Sequence, residues 1–87
     1  MSICFNEPVG PETEAMIDKL FGKAIASDGK TFLFDQRPEL LQRQMTELAN
    51  KAKQPVTVEL NAEGEIKTMM DGTQYRVTPK GWRKIDP

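Results

Sequence analysis

The feature that most constrains this chain is a pair of turn signals in its C-terminal third, Ala62-Glu63-Gly64 and Asp71-Gly72, which separate runs of alternating apolar and polar residues. Asp71-Gly72 suits a two-residue type I′ turn, setting Met70 against Thr73, Thr68 against Tyr75 and Ile66 against Val77. Ala62-Glu63-Gly64 suits a three-residue loop with Gly64 in the left-handed region, setting Leu60 against Ile66, Val58 against Thr68 and Val56 against Met70. The two registers concur. Val58, Leu60, Ile66, Met70, Tyr75 and Val77 share one face, while Lys67, Met69, Gln74 and Arg76 take the other. A one-residue slip would turn a strand's apolar set outward, so the expectation is a three-stranded antiparallel meander over 56–60, 65–70 and 73–78, with Glu59 paired to Lys67 across neighbouring strands.

Upstream, Ile3 and Phe5 fall on one side of a short strand. Pro11 suits the first position of a helix, Glu12 and Glu14 suit its positive end, and Met16, Ile17, Leu20 and Phe21 form an apolar stripe. Gly22 weakens continuation, and Asp28-Gly29 between 23–27 and 30–34 predicts a further hairpin that pairs Ile25 with Phe32 and Lys23 with Phe34. The competing reading extends the helix to Ser27 and caps it at Gly29. A second helix is expected from Pro38 to about Lys53, with Leu41, Met45, Leu48 and Ala52 inward, Leu40 and Ala49 beside them, and Pro55 preventing continuation.

Length and composition suit one domain over 1–87, with 38% apolar and 29% charged residues. There is no long apolar run for a membrane span, and no basic segment followed by an apolar one at the start, so a cytoplasmic protein is expected. The chain has one cysteine, Cys4, and no histidine, which removes the usual metal ligands and any histidine-based triad. The nearest charged residue to Cys4 in sequence is Glu7, so nothing adjacent favours a thiolate, and the thiol is expected to act as a small hydrophobe. Neither GxGxxG nor GxxxxGK[ST] occurs, and no cofactor is expected.

The net charge of −1 conceals an asymmetry: residues 1–36 carry six carboxylates against three lysines, net −3, whereas residues 65–87 are net +2. The basic end contains Thr78-Pro79-Lys80-Gly81-Trp82-Arg83-Lys84-Ile85. One reading presents Trp82, ringed by Lys80, Arg83 and Lys84, to a nucleic acid or an acidic groove. The favoured reading has a turn at Pro79 to Gly81 return the chain across the sheet, with Trp82 and Ile85 covering a small core. The outward side of the meander supplies the other candidate surface, where Arg76 is exposed and Met69 offers an adaptable protein contact. Bases would need aromatic rings to stack on, and Tyr75 points to the other face.

Gln74-Tyr75 followed by Pro79-Lys80-Gly81-Trp82 resembles a stretch of the MbtH-like proteins, which assist nonribosomal peptide synthetases. The resemblance spans 74–82, lacks that family's Trp-Pro before the Pro-x-Gly-Trp, and follows a long helical segment, so no function is carried over from it.

Together these features predict an α+β domain with two amphipathic helices packed on an antiparallel sheet that includes the meander. They predict a non-enzymatic protein-binding or regulatory module, an accessory factor, an inhibitor or a homo-oligomerising domain, with Met69, Arg76, Lys80, Trp82, Arg83 and Lys84 as candidate contact residues. The alternative is a weak nucleic-acid binder using the basic C-terminal segment, and an enzyme working through carboxylates is the least supported.

Overall fold

The structure is a computed structural model that describes residues 1–35 and 42–86. In chain order its elements are β1 (Ser2–Phe5), α1 (Pro11–Phe21), β2 (Ala26–Ser27), β3 (Thr31–Leu33), α2 (Gln42–Ala52), β4 (Val56–Glu59), β5 (Ile66–Thr68), β6 (Gln74–Thr78) and β7 (Gly81–Ile85). The fold is α+β. Two antiparallel sheets are present, a four-stranded one in the order β2-β3-β1-β4 and a C-terminal three-stranded meander β5-β6-β7.

The short strand at the start of the chain is central. β1 pairs with β3 on one side and β4 on the other, placing Ile3 opposite both Phe32 and Val58. Alternation sends Met1, Ile3 and Phe5 to one face, where they form a core with Phe32, Phe34, Ile17 of α1 and Leu48 of α2. Both helices therefore cover one face of the four-stranded sheet. α1 begins at Pro11 and stops at Gly22, whose N–H donates to the Asp18 carbonyl and whose φ of 83° turns the following chain out of the helix. α2 ends at Ala52, and Lys53 terminates it in the left-handed region at φ 58°. The expected start of this helix at Pro38, and the inward positions Leu40 and Leu41, lie outside the described residues.

The other face of the four-stranded sheet carries Leu33, which packs with Met69 and Trp82 of the C-terminal segment, with Ala26, Tyr75 and Val77 around them. The molecule thus has three layers: helices, four-stranded sheet and meander. Here the structure corrects the expected strand order. Val56–Glu59 is not the first strand of the meander, because it hydrogen-bonds with β1, and Gly81–Ile85 supplies the meander's third strand instead. Val56 and Val58 pack against the helix-side core, so pairing with β1 buries the apolar side of this strand. Gly64 does adopt positive φ, at 91°, but its turn carries the chain from one sheet to the other, and the Gly64 N–H donates to the Val77 carbonyl at 2.8 Å.

The register between β5 and β6 also differs from expectation. Thr68 faces Gln74, Lys67 faces Tyr75 and Ile66 faces Arg76. The loop has three residues, Met70, Asp71 and Gly72, closed by the Met69 N–H donating to the Thr73 carbonyl at 2.7 Å. A type I′ turn needs positive φ at Asp71, yet Lys53 is the only non-glycine among the described residues with positive φ. Asp71 instead accepts from the Thr73 N–H at 2.9 Å, an Asx turn, and Gly72 takes the left-handed position at φ 90°. The extra loop residue flips β5. Met69 is buried at 5% exposure, while Ile66 at 47% and Met70 at 62% are turned out.

The hairpin read in 23–34 is present in shortened form, with a shifted register. Ala26 faces Leu33 and Ser27 faces Phe32, so neither Ile25–Phe32 nor Lys23–Phe34 forms a pair. The Asp28 carboxylate explains the shift. Its Oδ1 accepts from the Lys30 and Thr31 N–H groups at 2.9 and 2.6 Å, moving the turn one residue along the chain to Gly29-Lys30.

Candidate protein-binding face

The contact residues suggested by the sequence are divided by the fold. Met69 and Trp82 lie inside. Trp82 is 4% exposed, its indole Nε1–H donates to the Phe34 carbonyl at 3.2 Å, and its backbone N–H donates to Asp35 Oδ1 at 2.7 Å. Asp35, just beyond β3, therefore ties β7 to the four-stranded sheet. Gly81 has φ 105° and passes so close to the Asp35 carboxylate that a side chain there would collide with it. Met69, expected outside, is a core residue because of the three-residue loop.

Arg76 and Arg83 are the two candidates that the structure brings together. They face each other across β6 and β7, both exposed, on the side of the meander remote from the core. Alternation places Ile66, Thr68, Gln74, Thr78 and Ile85 on the same outer side, with Ile66 directly opposite Arg76 and Ile85 opposite Gln74. No carboxylate occupies any of these positions. Neither arginine forms an ion pair among the described residues, whereas Arg43, Lys51 and Lys67 pair with Glu47, Glu12 and Glu59.

Lys80 and Lys84 are exposed but stand apart from the arginines. Lys80 lies in the turn between β6 and β7, its N–H donating to Thr78 Oγ1 at 3.2 Å. Lys84 pairs with Tyr75 on the inner-facing row and, with Asp71, Gly72, Thr73, Gln74 and Ile85, lines a shallow depression of about 340 Å³.

The Glu59–Lys67 pair forms at 2.8 Å, but between facing sheets rather than neighbouring strands. Partial burial pulls the Lys67 ammonium down, yet its hydrogen bond to Glu59 and the fields of Cys4, Glu59 and Glu65 outweigh this and hold it above the usual lysine range. Nearby, Asn61 donates to Glu65 at 2.9 Å, and this hydrogen bond, followed by one from the Ala62 backbone, holds the Glu65 carboxyl below its ordinary range.

Sequence reasoning missed Ile66 and Met70 as surface residues. The available signal was Gly72: one glycine serves the two-residue and the three-residue loop equally well, and the latter exposes both side chains. No family model, curated protein or solved structure matches this chain.

Proposed function

We propose that this chain is a non-enzymatic protein-binding module, acting in the cytoplasm, that presents the outer face of its C-terminal meander to a partner. The observation that carries this reading is the orientation of the β5 hairpin. It buries Met69 and half-buries Lys67, while Ile66 and Met70 are 47% and 62% exposed. A single apolar side chain at a surface is ordinary. Here two of the four strongly exposed large hydrophobics among the described residues belong to one hairpin, and one of them, Ile66, lies directly opposite Arg76, which like its neighbour Arg83 has no carboxylate partner among the described residues. Apolar area next to desolvatable arginine is the composition of a protein interface core.

Affinity capture from the source organism's lysate after nuclease treatment tests this reading. The parent should recover a discrete protein that the Ile66→Asp/Met70→Asp variant loses and Leu60→Asp, at an exposed apolar position outside the hairpin, retains. Equal recovery by all three, or loss of capture on nuclease treatment, would refute it.

A further inference from the structure

The arginine pair narrows the class of partner. Arg76 and Arg83 are register neighbours on adjacent strands, so their backbones stand about 5 Å apart and both guanidinium groups rise from one side of the sheet. Like charges placed directly opposite one another disfavour the sheet that holds them. Among the described residues, no Asp or Glu takes an outward strand position on the meander, although carboxylates outnumber cations in the chain as a whole.

We infer that the partner is an acidic, partly apolar segment of another protein, with a carboxylate received between Arg76 and Arg83 and an apolar side chain against Ile66. This rests on the protein-binding reading above and specifies its partner. Guanidinium groups offer planar forks of N–H donors that match carboxylate geometry, and two of them side by side can hold one carboxylate from both flanks. Ile66, opposite Arg76 on the same face, supplies apolar contact area within reach of the same segment.

Two other occupants fit less well. A second copy laid symmetrically on this face would bring two like-charged arginine rows together, because a two-fold interface repeats the same patch on both subunits. Single-stranded nucleic acid binds sheets by stacking bases on exposed rings, and here Tyr75 and Trp82 both lie on the inner side, with Trp82 only 4% exposed.

Fluorescence anisotropy with labelled probes tests the inference: a short peptide of alternating Glu and Leu, its Lys–Leu counterpart, and a single-stranded oligothymidylate. The Glu–Leu peptide should bind the full chain in preference to the other two. Arg76→Gln and Arg83→Gln should each weaken that binding about tenfold, in keeping with loss of a charge-assisted hydrogen bond. The same substitutions should raise the thermal midpoint slightly, since each removes a like-charge opposition. Tighter binding of Lys–Leu or oligothymidylate, no binding of Glu–Leu, or indifference to both arginine substitutions would overturn the inference. Capture of the native partner separates the two levels. Loss with Ile66→Asp but not with the arginine variants would sink the acidic partner and leave the face standing, whereas capture unaffected by any of them would remove the face itself.

Discussion

Replacing Trp82 by Ala should remove much of the stability of this domain, and the size of the loss follows from where the ring sits. The residue is 4% exposed and packs with Leu33 and Met69 between the two sheets. An aromatic side chain buries about 150–250 Å², and at about 25 cal/mol per Å² truncation to Ala forfeits roughly 3–5 kcal/mol, in line with the cost of Trp→Ala in cores. Loss of the hydrogen bond from Nε1 to the Phe34 carbonyl adds about 1 kcal/mol. That carbonyl does not become an orphan, because the Met1 amino group also donates to it at 2.9 Å. A loss of about 4–6 kcal/mol compares with a total of about 4–13 kcal/mol for a chain of this length, so the variant should lose at least about a third of its stability. Trp82→Phe keeps an aromatic ring in place and should lose about 1–2 kcal/mol. Urea titration followed by far-ultraviolet circular dichroism suits the comparison, since the variants lack the only tryptophan. Arg83→Ala, exposed on the same strand, should change stability by less than about 0.5 kcal/mol. A Trp82→Ala protein within about 1 kcal/mol of the parent, or an Arg83→Ala protein equally damaged, would refute the placement of the ring.

Three further outcomes are expected. Gly64→Ala, at φ 91° with open space around it, should cost about 1–2 kcal/mol from backbone strain, whereas Gly81→Ala should cost distinctly more because it also meets Asp35; equal urea midpoints would contradict this. Asp28→Ala removes the acceptor of the Lys30, Thr31 and Met70 N–H groups at 2.9, 2.6 and 2.7 Å, so stability should fall by about 2–3 kcal/mol and amide exchange should quicken at those three residues, with Asp28→Asn intermediate. The Asp71 carboxyl is held below its ordinary range by the hydrogen bonds from the Thr73 backbone and then its side chain, so its stabilising contribution is present above the unfolded-state pKa and lost as the pH falls through the folded one. Asp71→Asn should flatten the acid limb of the stability profile. Lys67, held above its ordinary range, behaves oppositely: its contribution is full below the unfolded-state lysine pKa and lost as the pH rises through the folded value, and Lys67→Met should flatten the alkaline limb.

The legible parts of the fold were those marked by residues with few alternatives. Pro11 and Gly22 bracket α1 because proline favours the first helical turn and glycine alone takes the cap conformation without strain. Pairing was harder to read. Val56-Thr57-Val58-Glu59 would alternate correctly beside β5 or beside β1, and the choice depends on how the Ile3 and Phe5 strand is buried, which is a long-range matter. The register of β5 turned on one residue. Counting Met70 into the loop exchanges the faces of Ile66 and Lys67, and the apolar count favoured the other parity; what the count omitted is that Glu59 on the facing sheet gives Lys67 a partner inside. The candidate site was legible as a basic segment but not as a surface, because only the register of β6 with β7 shows that Arg76 and Arg83 meet while Trp82 is buried on the opposite side and Lys84, though exposed, falls in the other row.

The claim on which the binding face depends is that the β5 hairpin shows Ile66 and Met70 to solvent and hides Met69. Mild peroxide oxidation of the folded protein, resolved residue by residue with tandem mass spectrometry, tests this directly, since thioether oxidation follows exposure. Met70, at 62% exposure, should form its sulfoxide early, while Met69, at 5%, should remain thioether until the protein unfolds. Oxidation of Met69 ahead of Met70 would restore the two-residue turn, return Ile66 to the interior and remove the apolar side chain that the binding face sets beside Arg76.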